Sequence, residues 1–76
     1  MIVDEVSFSR ETRLPSSASE HRIASTLSHL RELVLFVLAE KLADGRTYTV
    51  RLEFGSTAIA GAVVCSVAAH VGRIDP

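Results

Sequence analysis

The feature that most constrains the fold is an unbroken run of six apolar residues, LVLFVL, at positions 33–38. Such a run fits either a buried strand or a helix that is apolar around its whole circumference. The flanking sequence favours the helix, because apolar residues recur before and within the run at spacings of three and four. They are Ile23, Leu27, Leu30, Val34, Val37 and Leu38. We therefore predict one helix over residues 18–43.

Both ends of this helix carry boundary signals. Ser17, followed by Glu20 three residues later, matches a capping box, and Asp44 with Gly45 provides a left-handed stop. At about 1.5 Å per residue the helix would extend about 40 Å. A strand of eight residues reaches only about 27 Å. The sequence thus predicts a helix that overhangs its own sheet.

Two segments are predicted to be strands. In IVDEVSFS (2–9), Ile2, Val6 and Phe8 share one side, although Asp4 interrupts that face, which suits a strand at a sheet edge. Residues 10–19 are then expected to be a polar connector. In RTYTVRLEF (46–54) apolar and polar residues alternate strictly, which predicts a half-buried strand with one wet face.

The last segment, GSTAIAGAVVCSVAAHVGRIDP (55–76), fits two structures. As a helix it would be capped by Ser56 and would have an apolar residue every four positions from Ile59 to Val71. As a strand it would follow a type II′ turn at Gly55-Ser56. The register of that hairpin pairs Leu52 with Ile59, Val50 with Gly61, and Tyr48 with Val63.

Length and composition favour a small domain that associates with something else. The 76 residues predict one domain, 1–76, with a marginal core. Cys65 is the only cysteine, so an internal disulfide is impossible and a reducing cytoplasm is expected. The formal net charge of −1 provides no strong field for nucleic acid or membrane. Asp4 and Glu5 stand where a signal peptide requires positive charge, and no apolar span of membrane length is present.

One stretch of the chain resembles a known family. The segment LAEKLADGRTYTVRLEFGSTAIAGAVV (38–64) resembles the trypsin-co-occurring domain family, first type, of bacterial conflict systems, at residues 42–45, 50–55 and 60–64. The resemblance covers about a third of the chain, and the chain departs from the family by a shorter gap after Gly55 and by lacking an aromatic-rich final strand. It implies a strand after Gly55 and a non-catalytic accessory role beside effector proteins. It transfers no catalytic residues.

With that strand, the fold is predicted to be α+β: one long helix packed on a small antiparallel sheet in the order β-α-β-β. The alternative order, β-α-β-α, replaces the last strand with a second helix. In the predicted helix Phe36 lies roughly 150° from the apolar stripe, and Leu33 and Leu35 flank the stripe at wide angles. Phe36 is either an ordinary exposed apolar residue or part of a second contact face.

Enzymatic and metal chemistry are not expected. A Ser-His-acid triad needs a rigid cleft, which one helix on a few strands seldom provides. Cys65, between Val64 and Ser66, has no adjacent base and fits a buried structural thiol. His21 and His29 are roughly 12 Å apart along a helix, too far to share one metal. We therefore predict a non-enzyme with no cofactor and no metal.

The leading functional hypothesis is a non-enzymatic protein-interaction module in the cytoplasm, an adaptor or inhibitor that binds a partner protein, in the setting of a bacterial or phage conflict system. A homodimer or a stable hetero-complex is expected. The contact is predicted to use Leu33, Leu35 and Phe36 with Arg10 and Arg13 at its rim, or the edge of the first strand.

The alternative is a dimeric nucleic-acid-binding protein, since seven of eight basic residues are arginine. Interleaved glutamates and the absence of an aromatic stacking platform weigh against it.

Overall fold

Residues 2–74 fold as one helix on a three-stranded antiparallel sheet. The computed structural model describes the backbone of residues 2–74 and the side chains of residues 6–74. The elements follow in the order β1 (Ile2–Pro15), α1 (Glu20–Lys41), β2 (Thr47–Ile59) and β3 (Ala62–Ile74). The predicted β-α-β-β order is confirmed, and the alternative with a second helix is wrong.

The last strand in the chain is the central strand of the sheet, whose order is β1-β3-β2. β1 is therefore an edge strand, as predicted, and β2 forms the other edge. Every second residue of β3 from Cys65 to Val71 is buried against α1. The helix contributes Leu30, Val34 and Leu38 to this core. The predicted side-chain faces of Ile2 and Asp4 lie outside the described side chains.

The prediction that the helix overhangs the sheet is wrong, because the strands are much longer than expected. β1 runs for 14 residues and β2 and β3 for 13 each. At about 3.3 Å per residue such strands extend for more than about 40 Å, whereas a 22-residue helix extends for about 33 Å. Residues 10–15, predicted to be a connector, continue β1 and place Leu14 in the core. Polar residues can occupy this strand because much of it is exposed.

The helix starts two residues later than predicted. Ser19 is its N-cap, and the Arg22 N–H donates to Ser19 Oγ at 3.1 Å. Ser17 instead lies inside a turn that is closed by the Ala18 N–H donating to the Pro15 carbonyl at 2.9 Å. The chain uses this turn to leave the sheet, so the capping-box spacing from Ser17 to Glu20 does not mark the helix start.

A hairpin joins β2 and β3, but its turn is five residues beyond the predicted one. Ala60 and Gly61 form the turn, with φ values of 33° and 82°, which fits the type I′ requirement for two consecutive positive φ angles. Gly55 lies inside β2 opposite Ser66, where an added Cβ would come 3.1 Å from Ser66 Oγ. The glycine therefore marks a close approach within the sheet. The predicted pairs are wrong, and the structure pairs Leu52 with Ala69, Val50 with Val71, and Tyr48 with Arg73.

Candidate protein-interaction surface

The helix covers only part of the sheet. It packs on β3 and β1, and a helix about 10 Å wide cannot cover three strands that lie about 4.8 Å apart. On the helix side of β2, Val50 and Phe54 remain 43% and 52% exposed. Leu52, between them on the same side, is half-buried and packs against the core. The exposed apolar face of β2 therefore follows from the position of α1.

One flank of α1 adds to this exposed face. Leu33 lines a shallow hollow together with Thr12 of β1, which places Leu33 on the β1 side of the helix. Leu35 is two positions further along, about 200° around the axis, and so lies on the flank towards β2. Leu35 is 40% exposed. We call Leu35, Val50 and Phe54 together the β2-side surface.

The three helix residues predicted to form a contact face do not share one surface. Phe36 is the most exposed of them, at 65%, and lies on the back of α1, away from the sheet. Leu33 and Leu35 are also exposed but lie on opposite flanks of the helix. Leu33 and Phe36 are neighbours on the helix surface because they are three positions apart. Leu35 belongs to the β2-side surface.

Arg10 and Arg13, the predicted rim residues, lie on opposite faces of β1, because positions separated by an odd number of residues face opposite ways in a strand. Arg10 is on the helix side, where its guanidinium lies 4.4 Å from the centre of the Phe8 ring. Lys41 Nζ lies 5.4 Å from the centre of the same ring. The structure therefore does not bring Arg10 and Arg13 to one rim, and neither lies beside Phe36.

Val50 and Phe54 were missed in the sequence because their alternation assigns them to a buried face. The assignment of the face itself is correct, since both residues point to the helix side of the sheet. Their exposure depends on which strands the helix crosses. The alternation within β2 carries no signal of that crossing.

An apolar hollow of about 230 Å³ lies between the C-terminal end of α1 and the sheet. Beside it, the Tyr48 hydroxyl donates to Asp44 Oδ2 at 2.5 Å, and the Arg46 N–H donates to Asp44 Oδ1 at 3.0 Å. These hydrogen bonds hold the pKa of Asp44 below its usual value, and the bond to Asp44 raises the pKa of Tyr48. The hollow is lined by Val6, Phe8, Leu38, Leu42, Tyr48, Val71 and Arg73.

A chain of polar contacts crosses the sheet face that α1 does not cover. Ser7 Oγ lies 3.0 Å from His70 Nδ1, and His70 Nε2 lies 3.4 Å from Glu53 Oε2. Arg51 donates to Glu53 Oε1 at 2.5 Å. The nearby His70, followed by Arg51, holds the pKa of Glu53 below its usual value. The contacts connect all three strands.

Ser7, His70 and Glu53 have the residue types of a catalytic triad, which the sequence analysis did not place together. Acyl-transfer catalysis also needs donors aimed at the developing oxyanion. Here the three side chains lie on an antiparallel ladder, and His70 is on its central strand, whose backbone amides pair with the two neighbouring strands. Neither the hollow beside Tyr48 nor the hollow beside Thr12 includes a residue of this network. The arrangement fits a polar link across the strands better than a reaction centre.

Two further observations concern metal ions and membranes. Among residues 6–74, histidine, cysteine and acidic side chains do not gather in groups of three or more that could hold a metal ion. Within the same part of the chain, no helix combines the length and the apolar character needed to cross a bilayer.

Comparison with models of protein families gives no match for this chain, and comparisons with curated proteins and with solved structures give none either. The resemblance of residues 38–64 to the trypsin-co-occurring domain family therefore stays a prediction. The candidate site rests on the geometry described above.

Proposed function

We propose that this chain is a non-enzymatic protein-interaction module, an adaptor or inhibitor that binds a partner protein through the β2-side surface. The observation that carries the proposal is the position of α1, which leaves the helix side of β2 uncovered. Phe54, more than half exposed, is the largest side chain of that surface. Aromatic side chains, phenylalanine included, are enriched at the cores of protein interfaces.

The shape of the uncovered region favours a helical segment of the partner. Neighbouring helices pack about 8–10 Å apart, and strands lie about 4.8 Å apart. A helix packed beside α1 would therefore lie above β2 and its free edge. Its apolar face would contact Leu35, Val50 and Phe54, with Leu52 below them. The partner segment is thus an amphipathic helix that completes the layer started by α1.

A matched pair of substitutions tests this surface. Phe54→Asp places a charge on the β2-side surface, and Phe36→Asp places the same charge on the back of α1, at a residue of similar exposure. Tagged wild type and variants are used to capture proteins from the source cell, with quantification by mass spectrometry. We expect proteins bound by wild type to be retained by Phe36→Asp and lost with Phe54→Asp.

The opposite result, loss with Phe36→Asp alone, would move the binding surface to the back of the helix, where the sequence first suggested it. Equal capture by the wild type, Phe54→Asp and Phe36→Asp would contradict the proposal. Circular dichroism melts of both variants show whether the fold is retained.

The cellular setting is part of the same proposal. A cytoplasmic location is supported by Cys65, an unpaired thiol that is fully buried. A role in a bacterial or phage conflict system is supported only by the resemblance of residues 38–64. We also propose that the chain associates with a second copy of itself.

The alternative, a dimeric nucleic-acid-binding protein, gains no support from the arrangement of the arginines. Among residues 6–74 they lie on both sheet faces and on opposite flanks of α1. Arg51 contacts Glu53, and Arg10 lies over Phe8. A continuous basic surface of the kind that binds phosphates is not formed by these residues.

A further inference from the structure

We propose that β2 pairs antiparallel with β2 of a second copy of this chain. The two-fold axis lies midway between the Leu52 residues of the two copies. This pairing goes beyond the proposed function, although both use β2 as the binding element. The pairing joins two three-stranded sheets into one sheet of six strands.

The free edge of β2 is better suited to pairing than the free edge of β1. Long edge strands without charge clusters, bulges or proline offer their unpaired backbone groups to other strands. β2 continues for 13 residues without proline, and its register with β3 has no shift. β1 has a register shift between Ile2 and Glu5, ends at Pro15, and lies partly under α1.

Symmetry restricts how two β2 strands can pair. Residues directly opposite each other in paired strands must face the same side of the sheet. The residue at the two-fold axis must therefore pair with its own copy, because any shift by one position would place helix-side residues opposite residues of the other face. Only with the axis at Leu52 does Arg51 lie opposite Glu53 of the second copy. Symmetry then generates this pair twice. An axis at Arg51 or at Glu53 places like charges opposite each other.

With the axis at Leu52, the charges of Arg51 and Glu53 from the two copies would lie together. Arg51 and Glu53 already contact each other within one chain, at 2.5 Å between Nη1 and Oε1. Residues directly opposite in antiparallel strands have Cβ atoms about 4.5–5.5 Å apart. The two-fold pairing therefore places four alternating charges together on the face away from α1. Axes at Val50 or Phe54 leave Arg51 and Glu53 opposite uncharged residues.

The same register matches the apolar residues on the helix side. Val50 lies opposite Phe54 of the second copy, again twice, and Leu52 lies opposite itself. Val50 and Phe54 are among the exposed apolar residues of the chain. Aromatic side chains paired with β-branched ones are favourable cross-strand contacts. The pairing thus brings opposite charges together on one face of β2 and places the apolar side chains of the two copies side by side on the other.

Charge reversal tests the register. We measure the mass of the wild type, Arg51→Glu and Glu53→Arg in solution by light scattering and sedimentation. The wild type is expected to be a dimer. Each variant alone is expected to dimerise at least about tenfold more weakly, because each places like charges opposite each other across the axis. An equimolar mixture of the two variants restores the opposite pairs and is expected to form a heterodimer.

The control is Arg13→Glu, which reverses a charge on the same sheet face but on β1. We expect this variant to dimerise like the wild type. Circular dichroism melts confirm that the single variants are folded, and the heterodimer itself shows that their chains remain competent to pair.

A wild type that is monomeric at high concentration would overturn the pairing, as would a mixture that stays monomeric. Neither result changes the comparison of Phe54→Asp with Phe36→Asp in partner capture, which tests the proposed function. Equal capture by those two variants together with an intact wild-type dimer would instead defeat the proposed function and leave the pairing standing.

Discussion

Phe54 lies directly opposite Val67 in the sheet and faces the same side, yet Val67 is fully buried and Phe54 is 52% exposed. The two apolar residues lie on neighbouring strands. β3, with Val67, lies beneath α1, whereas β2, with Phe54, lies beside it. The boundary of the core therefore runs between two hydrogen-bonded strands, and apolar residues beyond this boundary are available for binding.

The first prediction compares these two residues in stability. We expect Val67→Ala to lower the free energy of unfolding by about 2 kcal/mol, because it removes buried methyl groups and leaves a cavity under α1. At protein concentrations low enough to keep the chain monomeric, Phe54→Ala is expected to cost less than about 1 kcal/mol, since much of the ring is already in water. Urea unfolding followed by circular dichroism measures both. Equal losses in the monomer would contradict the exposure of Phe54.

The second prediction concerns the start of α1. Ser19→Ala removes the side-chain acceptor of the Arg22 N–H and should lower stability by about 1 kcal/mol. Ser17→Ala is the matched control and should change stability by less than about 0.5 kcal/mol, because Ser17 lies in the turn before the helix. Thermal melts of the two variants distinguish the caps. A larger loss for Ser17→Ala would restore the helix start that the capping-box spacing indicates.

The sequence predicts the helix and the first two strands because local patterns determine them, whereas the third strand is favoured over a second helix only by the family resemblance. The spacing of Leu30, Val34 and Leu38 belongs to a helix wherever that helix packs, and all three residues are buried. The ends of the strands, in contrast, are not determined by local patterns. Arg10 and Arg13 look like a connector because an edge strand needs few apolar residues. Gly55 looks like a turn because its close neighbour, Ser66, is 11 positions away in the sequence.

The β2-side surface could not be predicted from the sequence alone. Alternation assigns Val50 and Phe54 to the helix side, and that assignment is correct. Whether they are covered depends on where one helix of limited width crosses three strands. This crossing is set by the packing of Val34 and its neighbours on β3 and β1. Exposure of Phe36, in contrast, follows directly from helical geometry and is confirmed.

The third prediction concerns the turn between β2 and β3. Ala60 has a φ of 33°, in the region that asparagine and glycine tolerate better than alanine. We expect Ala60→Asn to raise the free energy of unfolding by about 0.5–1 kcal/mol through relief of this strain. Gly61→Ala should lower it by about 1 kcal/mol, although nothing lies within 4 Å of the added Cβ. Chemical unfolding curves measure both changes. A stabilising Gly61→Ala would exclude this turn geometry.

The last prediction uses the hydrogen bond between Tyr48 and Asp44. That bond raises the pKa of Tyr48 because the nearby carboxylate favours the protonated phenol. Because the pKa of Tyr48 is higher in the folded chain than in the unfolded chain, the hydrogen bond stabilises the fold fully at pH values below the unfolded pKa of about 10. This stabilisation is lost as the pH rises through the pKa of the folded chain. Since Tyr48 is the only tyrosine, phenolate absorbance reports it alone. We expect Asp44→Asn to move the titration midpoint to lower pH, whereas Glu53→Gln, on the other face of β2, should leave it unchanged. An unaltered midpoint in Asp44→Asn would show that the two side chains are apart in solution.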